Sequence, residues 1–408
     1  MGIVVERPRL RGFLEKPGRR LLYGRRKTGK TFYARHVLRG YTYFIVRPGG
    51  SFYDPEADEE IDVGAFIRLC RALDRVVVDE FHRAPGRLFD ALQAGSCPEN
   101  LVFITSTLHY FRRFTEAPEA PLKGLFASRQ VELLSPLELL AHPWERLPGD
   151  SREALALLTL YQEPTQVDRA SLVDIILSGR EFARSLVGEV LEEEDRAYTS
   201  RYDAILEAVA AGRERASEIA AYLHSRGLLE QAETGRITKY LQDMTRMGLL
   251  QRLPVWGKRR RHVYRHASPL TDIVYYLDAR YGFYDLPLPP RFIEKAAWTR
   301  LPILVERFAE RLLAELHGLI PVRVLEPEEL DIALAEYRRL RIVGEVKLTG
   351  KTLTRQELAK IEAKLARYED TEKILVVPSA SQVAAETSLK VLDLEQMIKI
   401  AKTVHTAS

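Results

Sequence analysis

Cysteine is nearly absent from this chain: Cys70 and Cys97 are the only two in 408 residues, beside four methionines and three tryptophans. Two cysteines support neither a disulfide framework nor a zinc site. No apolar run approaches the ~18–20 residues that span a bilayer, and the opening MGIVVERPRLRG has no apolar signal-peptide core. A cytoplasmic protein with no membrane partner is the expectation. Internal repeats and low-complexity tracts are missing too. An excess of one sign of charge is missing: 61 Lys and Arg against 57 Asp and Glu leave a net charge of +4, so nothing follows from total charge and its distribution has to be read. What remains is a chain with 46% hydrophobic and 29% charged residues. That composition is globular, and the length suggests two to four domains.

The stretch LLYGRRKTGKTFYARHV (21–37) joins a short buried strand to a helix through two glycines, a lysine and a hydroxyl. GRRKTGKT matches G-x-x-x-x-G-K-[ST], in which successive backbone N–H groups wrap a polyphosphate at the positive end of the following helix. Gly24, Arg25, Arg26, Lys27, Thr28, Gly29, Lys30 and Thr31 form that loop. Lys30 is expected to reach the β/γ-phosphates, and the Thr31 hydroxyl to hold Mg²⁺. ATP and Mg²⁺ are the ligands so predicted.

A P-loop requires an acid for the metal. RVVVDEFHRAP (75–85) reads as a strand buried on both faces, as in a parallel sheet, ending in Asp79-Glu80. Ligands of open α/β folds sit at such carboxyl ends. Asp79 is assigned to Mg²⁺ through water, and Glu80 to polarising the attacking water. That carboxylate argues for a hydrolase over a simple kinase. A third strand, in NLVFITSTLHYFRRF (100–114), ends in Thr105-Ser106-Thr107. These hydroxyls suit γ-phosphate sensing and helix capping equally. Arg112, Arg113 and Arg129 are the candidates for a charge-stabilising arginine, with an ordinary surface arginine the favoured reading of each.

Strands and helices alternate over 1–145, including YTYFIVRP (41–48) and RQVELL (129–134). Residues 146–200 read as helical, a suitable size for a lid. Between 201 and 270 the pattern changes to three helices, the second with Ser217 in capping position, and then two short strands in PVWGKRRRHVYRHA. This is the order of a winged helix. Arg236, Thr238, Lys239, Gln242 and Arg246 on the third helix, and Lys258, Arg259, Arg260 and Arg261 in the wing, are residue types that touch phosphates and base edges. DNA is the expected partner; packing or dimerisation is the plain alternative. An aromatic and proline-rich stretch (271–294) reads as a linker.

From 295 to 408 the text gives an amphipathic helix with Glu306 and Glu310, then strand, strand, helix, strand. Period-two alternation puts Glu345 and Lys347 on one strand face, with Asp331 on the neighbouring strand. Two carboxylates and a lysine so placed can hold Mg²⁺ and activate water against a phosphodiester; a cross-strand salt-bridge set is the alternative.

Together GRRKTGKT, the VVVDEF strand, the hydroxyl triplet, PLKGLFASRQVELLSPLE (121–138) and the block order resemble the archaeal ATPase family, a P-loop clade related to AAA+ and STAND ATPases. The C-terminal part resembles the PD-(D/E)XK nuclease-like domain. The fold implied is α/β: a P-loop NTPase parallel sheet with a helical lid, a winged-helix domain, and a small α/β restriction-nuclease-like domain. The resemblance implies ATP at Gly24–Thr31, metal at Thr31 and Asp79, hydrolytic roles for Lys30, Glu80 and Ser106, and a second metal site at Asp331 and Glu345 with Lys347. It also implies protein partners or a homo-oligomer. Three departures stand out. The usual Gly-Ser-Ser sensor reads Thr105-Ser106-Thr107, so only Ser106 carries over. The arginine of the family's PLYGR block is missing from Pro121-Leu122-Lys123-Gly124-Leu125. The helical glutamate of the nuclease motif falls on either Glu306 or Glu310.

Overall fold

The computed structural model describes residues 2–106, 111, 114–117, 120–193, 200–383 and 385–407. Thr107, Arg112 and Arg113 lie outside these. The chain divides into two units: Glu6–Glu132 with Leu186–Tyr198, and Met1–Val5, Leu133–Ser185 and Thr199–Ser408.

The first unit is built on strands β1 (Arg20–Tyr23), β2 (Thr42–Val46), β3 (Phe52–Asp54), β4 (Glu59–Ile61), β5 (Arg75–Asp79), β6 (Asn100–Thr105) and β7 (Ala127–Gln130). They form one seven-stranded sheet in the order β4-β3-β2-β5-β6-β1-β7. Pairing is parallel from β2 through β5, β6 and β1 to β7, and antiparallel at the β2-β3-β4 edge. Val76, Val77 and Val78 are buried with Leu101, Val102, Phe103 and Ile104, as continuous apolar strands of a covered parallel sheet should be. The helix Val63–Cys70 starts at Asp62, whose carboxylate accepts from the Gly64 and Ala65 amides. Its Phe66 stacks on Phe52 of β3, and this antiparallel edge has no period long enough to be read from sequence. The strand expected over 129–134 runs instead as Ala127–Gln130.

In the second unit, helices Ser151–Leu160 and Leu172–Glu193 follow Pro136–Ala141, the last helix continuing into the first unit's residues. Helices Ser200–Ala210, Ala216–Ser225 and Thr234–Arg246 then lead into the antiparallel hairpin of β8 (Leu250–Pro254) and β9 (His262–His266). Ser217 does not cap: the helix begins at Ala216, and Glu218 accepts from the Arg215 amide at 3.0 Å. The segment read as a linker is helical over Pro269–Tyr281, capped by Ser268 and largely buried. It is apolar on most sides, so no amphipathic period marks it, and Gly282 with φ +63° ends it. The long helix Pro290–His317 precedes a five-stranded sheet of β10 (Ile320–Pro321), β11 (Ile332–Glu336), β12 (Arg339–Val346), β13 (Glu372–Val376) and β14 (Lys390–Leu392), in that order. Pairing is antiparallel through β12 and parallel beyond it, with the helix Arg355–Ala366 connecting β12 to β13. No helix among the described residues is long and apolar enough to cross a membrane.

Candidate functional site

The turn after β1 is shaped by its glycines. Gly24 has φ +142°, and a Cβ there would lie 2.4 Å from the Val131 carbonyl oxygen. Only glycine allows β1 and the chain after β7 to close this tightly. Lys27 (φ +62°) and Gly29 (φ +81°) are left-handed, and the helix Lys30–Val37 starts with no side-chain cap. Its first amides are therefore not taken by a capping residue, as an anion-binding turn requires. The Lys30 ammonium folds back and donates to the Gly24 and Arg25 carbonyls, both at 2.8 Å. Thr28 donates to Arg25 O at 3.0 Å.

The strand order puts the end of β5 two places from this loop, with β6 between. There the Thr31 hydroxyl donates to Asp79 Oδ2 at 2.6 Å, and the Glu80 amide to Oδ1 at 2.9 Å. Tyr43 of β2 also donates to Oδ2; burial and the Asp79 charge push its phenol well above the usual range. A hydroxyl and a carboxylate held this close are a donor set that fits Mg²⁺. Glu80 follows in a left-handed turn, φ +54°, a conformation that costs free energy and clusters at functional positions. Its carboxylate lies 3.6 Å from His82 Nε2 and 3.8 Å from Arg83. At the end of β6, the Ser106 Oγ is buried and finds no hydrogen-bond partner among the described residues. Thr105 Oγ1 meets His82 Nδ1 at 3.0 Å. Sequence reasoning missed Glu189, which meets Lys27 at 3.2 Å and Arg26 at 3.5 Å. Nothing in the helical text marked it. Arg129 faces the Phe13 ring, 5.9 Å from its centroid.

In the second unit, Arg236, Lys239 and the four wing residues Lys258–Arg261 are exposed. Arg236 pairs with Glu230 at 3.1 Å and Lys258 with Glu326 at 3.0 Å. The wing is bonded to the chain before β11: Trp256 N–H donates to Arg323 O at 2.8 Å, and Arg323 N–H to Pro254 O at 2.9 Å.

Asp331, Glu345 and Lys347 converge. Lys347 Nζ lies 3.0 Å from Glu345 Oε2 and 3.7 Å from Asp331 Oδ2, and Asp331 accepts from the Val346 amide at 2.9 Å. Burial works against the Lys347 charge, but Asp331 and Glu345 outweigh it and hold its pKa above the usual value. Burial and the Glu345 charge raise the Asp331 carboxyl. Of the two helical glutamates, Glu306 faces this group: burial and the Asp331 charge push it up to about 8. Glu310 instead pairs with the buried Arg265. Lys364, unmarked in the sequence, closes on the other Glu345 oxygen. No group of three His, Cys, Asp or Glu among the described residues is placed to hold a metal ion. Lys347 and Lys364 balance the carboxylates here.

No protein-family model matches the chain, and no curated protein is similar to it in sequence. Solved structures are similar in fold. The Walker-type ATPase PABY2304 of Pyrococcus abyssi is matched with a TM-score of 0.50 at 18% identity, over 67% of this chain and 96% of that one. The Aeropyrum pernix ORC2 protein, in its ADPNP-ADP complexes, is matched with a TM-score of 0.39 at 14% identity, over 72% and 90% of the two chains. The first likeness is one of fold; the second is too low to carry an argument.

Proposed function

We propose that the chain is a Mg²⁺-dependent ATPase that works on DNA. The observation that carries the ATPase reading is the bond from Thr31 to Asp79 at 2.6 Å, next to a loop whose lysine is folded over two carbonyls. Thr31 and Asp79 are the residues that would hold Mg²⁺, which would neutralise charge on the phosphates. Lys30 supplies a mobile cation to the same phosphates, giving up two carbonyl bonds for stronger anionic ones. Glu80 takes the proton of the attacking water, and Ser106 offers a hydroxyl donor at the strand end. The DNA reading rests on the exposed cations of the helix Thr234–Arg246 and the wing, in the order of a winged helix. The similarity in fold to PABY2304, a Walker-type ATPase, agrees with the ATPase reading. The test is phosphate release from ATP by the full chain, with Mg²⁺ or with EDTA, and with or without duplex DNA. Mg²⁺-dependent release stimulated by DNA supports the reading; no release under any condition defeats it.

A second reading concerns the C-terminal cluster. The convergence of Asp331, Glu345 and Lys347, with Glu306 beside them, favours metal-dependent phosphodiester cleavage. Against it stands the pair of lysines on Glu345, which suits a binding or switching module in its place. Cleavage of plasmid or single-stranded DNA with Mg²⁺ or Mn²⁺ separates the two.

A further inference from the structure

The Asp79-Glu80 pair continues as Phe81-His82, and the His82 ring reaches from the turn after β5 to the end of β6. Its side chain is 7% exposed. Burial first, then Arg83 and Arg26, push its pKa down to about 4, so the ring is neutral at ordinary pH. A neutral imidazole has one donor and one acceptor nitrogen. Nε2 faces the Glu80 carboxylate at 3.6 Å, and Nδ1 meets the Thr105 hydroxyl at 3.0 Å. A carboxylate only accepts, so the tautomer that serves both neighbours carries its proton on Nε2 and accepts from Thr105 at Nδ1. In that tautomer the Thr105 hydrogen is directed at the imidazole. Ser106, with its buried Oγ unpaired among the described residues, retains its own.

We infer that His82 is a positioning residue: it relays from Thr105 on β6 to the Glu80 carboxylate and aims that carboxylate at the hydrolytic water. The 3.6 Å separation is longer than a hydrogen bond. Catalytic hydrogen bonds of this kind are often long in unliganded enzymes and tighten with substrate. Arg83 lies 3.8 Å from the same Glu80 oxygen, so His82 shares the placing of the carboxylate with a cation on the turn that follows it. The two hydroxyls of the triplet thereby divide the work, Thr105 orienting the base and Ser106 facing substrate. This inference rests on Glu80 being the base of the proposed ATPase.

The experiment is steady-state ATP hydrolysis with parallel ATP binding, using the full chain carrying Glu80→Gln, His82→Leu, Thr105→Val, Thr105→Ser and the His82→Leu/Thr105→Val double change. Glu80→Gln serves as the reference and should lose hydrolysis while keeping ATP. Thr105→Val, isosteric with threonine, removes the hydroxyl that meets Nδ1 and leaves the imidazole in place. His82→Leu and Thr105→Val should each lower kcat by about tenfold to a hundredfold, the lower part of the range for general-base work, with ATP affinity unchanged. Thr105→Ser, which restores the hydroxyl, should recover most of the rate. The double variant should be no slower than the slower single one, because both act on one link. If Glu80→Gln is inactive but His82→Leu and Thr105→Val stay within twofold of the parent kcat, the relay is wrong and the ATPase reading stands. If Glu80→Gln hydrolyses ATP at the parent rate, the ATPase reading itself is wrong.

Discussion

Replacing Lys30 by methionine separates phosphate binding from packing. Lys30 is 6% exposed, and its ammonium makes two bonds of 2.8 Å to backbone carbonyls. Methionine keeps the unbranched stem and most of the volume, so packing changes little. Removing the ammonium also removes the cost of burying a charge, which offsets the missing carbonyl bonds, and the melting temperature should barely move. Nucleotide binding is different. Bound polyphosphate would draw the ammonium from neutral carbonyls to charged oxygens. Deleting one charged hydrogen bond there costs about 1.5–3 kcal/mol, which is roughly a tenfold to 150-fold weaker affinity. The assay is titration with a fluorescent ATP analogue in Mg²⁺, beside thermal melting monitored by circular dichroism. A dissociation constant within threefold of the parent, at unchanged melting, would refute the phosphate role of Lys30.

In the second unit, Asp272 is fully buried and holds Arg300 at 2.6 and 2.9 Å and Arg307 at 2.7 Å. Asp272→Ala takes the carboxylate from the buried Arg300 and one of two from Arg307, which keeps Glu214 at 3.1 Å, and should cost about 3–5 kcal/mol, read as a drop in denaturant midpoint. Burial pushes this carboxyl up, but Arg300 and Arg307 outweigh it and hold it well below the usual range. Its contribution is thus complete above the ordinary carboxylate pKa and is lost as pH falls below it, so the gap between parent and variant should narrow in acid. Changing Lys258, Arg259, Arg260 and Arg261 to alanine should weaken DNA binding for all sequences alike. It should flatten log K against log salt by up to ~0.9 for each phosphate the wing no longer neutralises; an unchanged slope would mean the wing does not meet DNA. Any metal-dependent DNA cleavage should vanish in Asp331→Asn, Glu345→Gln and Lys347→Met while ATP hydrolysis persists, and cleavage surviving all three would clear the cluster of that role.

What the sequence makes legible here follows from period and local chemistry. The valine run before Asp79 and the glycine-bracketed turn before Lys30 each announce an element within a few residues. Glu345 and Lys347 share a strand face because the pleat has period two, and lysine and glutamate do meet at 3.0 Å. Pairings across elements are harder. The ambiguity between Glu306 and Glu310, one turn apart on one helix, is resolved only by what each side of that helix packs against. Glu189 and Lys364 bring charges to the two sites from helices whose text marks nothing. The helix Pro269–Tyr281 is hidden in aromatic, proline-rich text because burial on most sides erases amphipathic period. His82 is visible as a residue beside Asp79-Glu80, but its link to Thr105 depends on β5 and β6 being neighbours.

The central claim is that this P-loop hydrolyses ATP with Glu80 as the base, and a single-turnover measurement on Glu80→Gln tests it most directly. Parent and variant are loaded with radiolabelled ATP and Mg²⁺, separated from free nucleotide, and followed for label remaining as ATP. The account predicts that the parent converts its bound ATP to ADP while Glu80→Gln, with affinity unchanged, retains it intact at least about a hundredfold longer. Conversion at the parent rate by Glu80→Gln would contradict it.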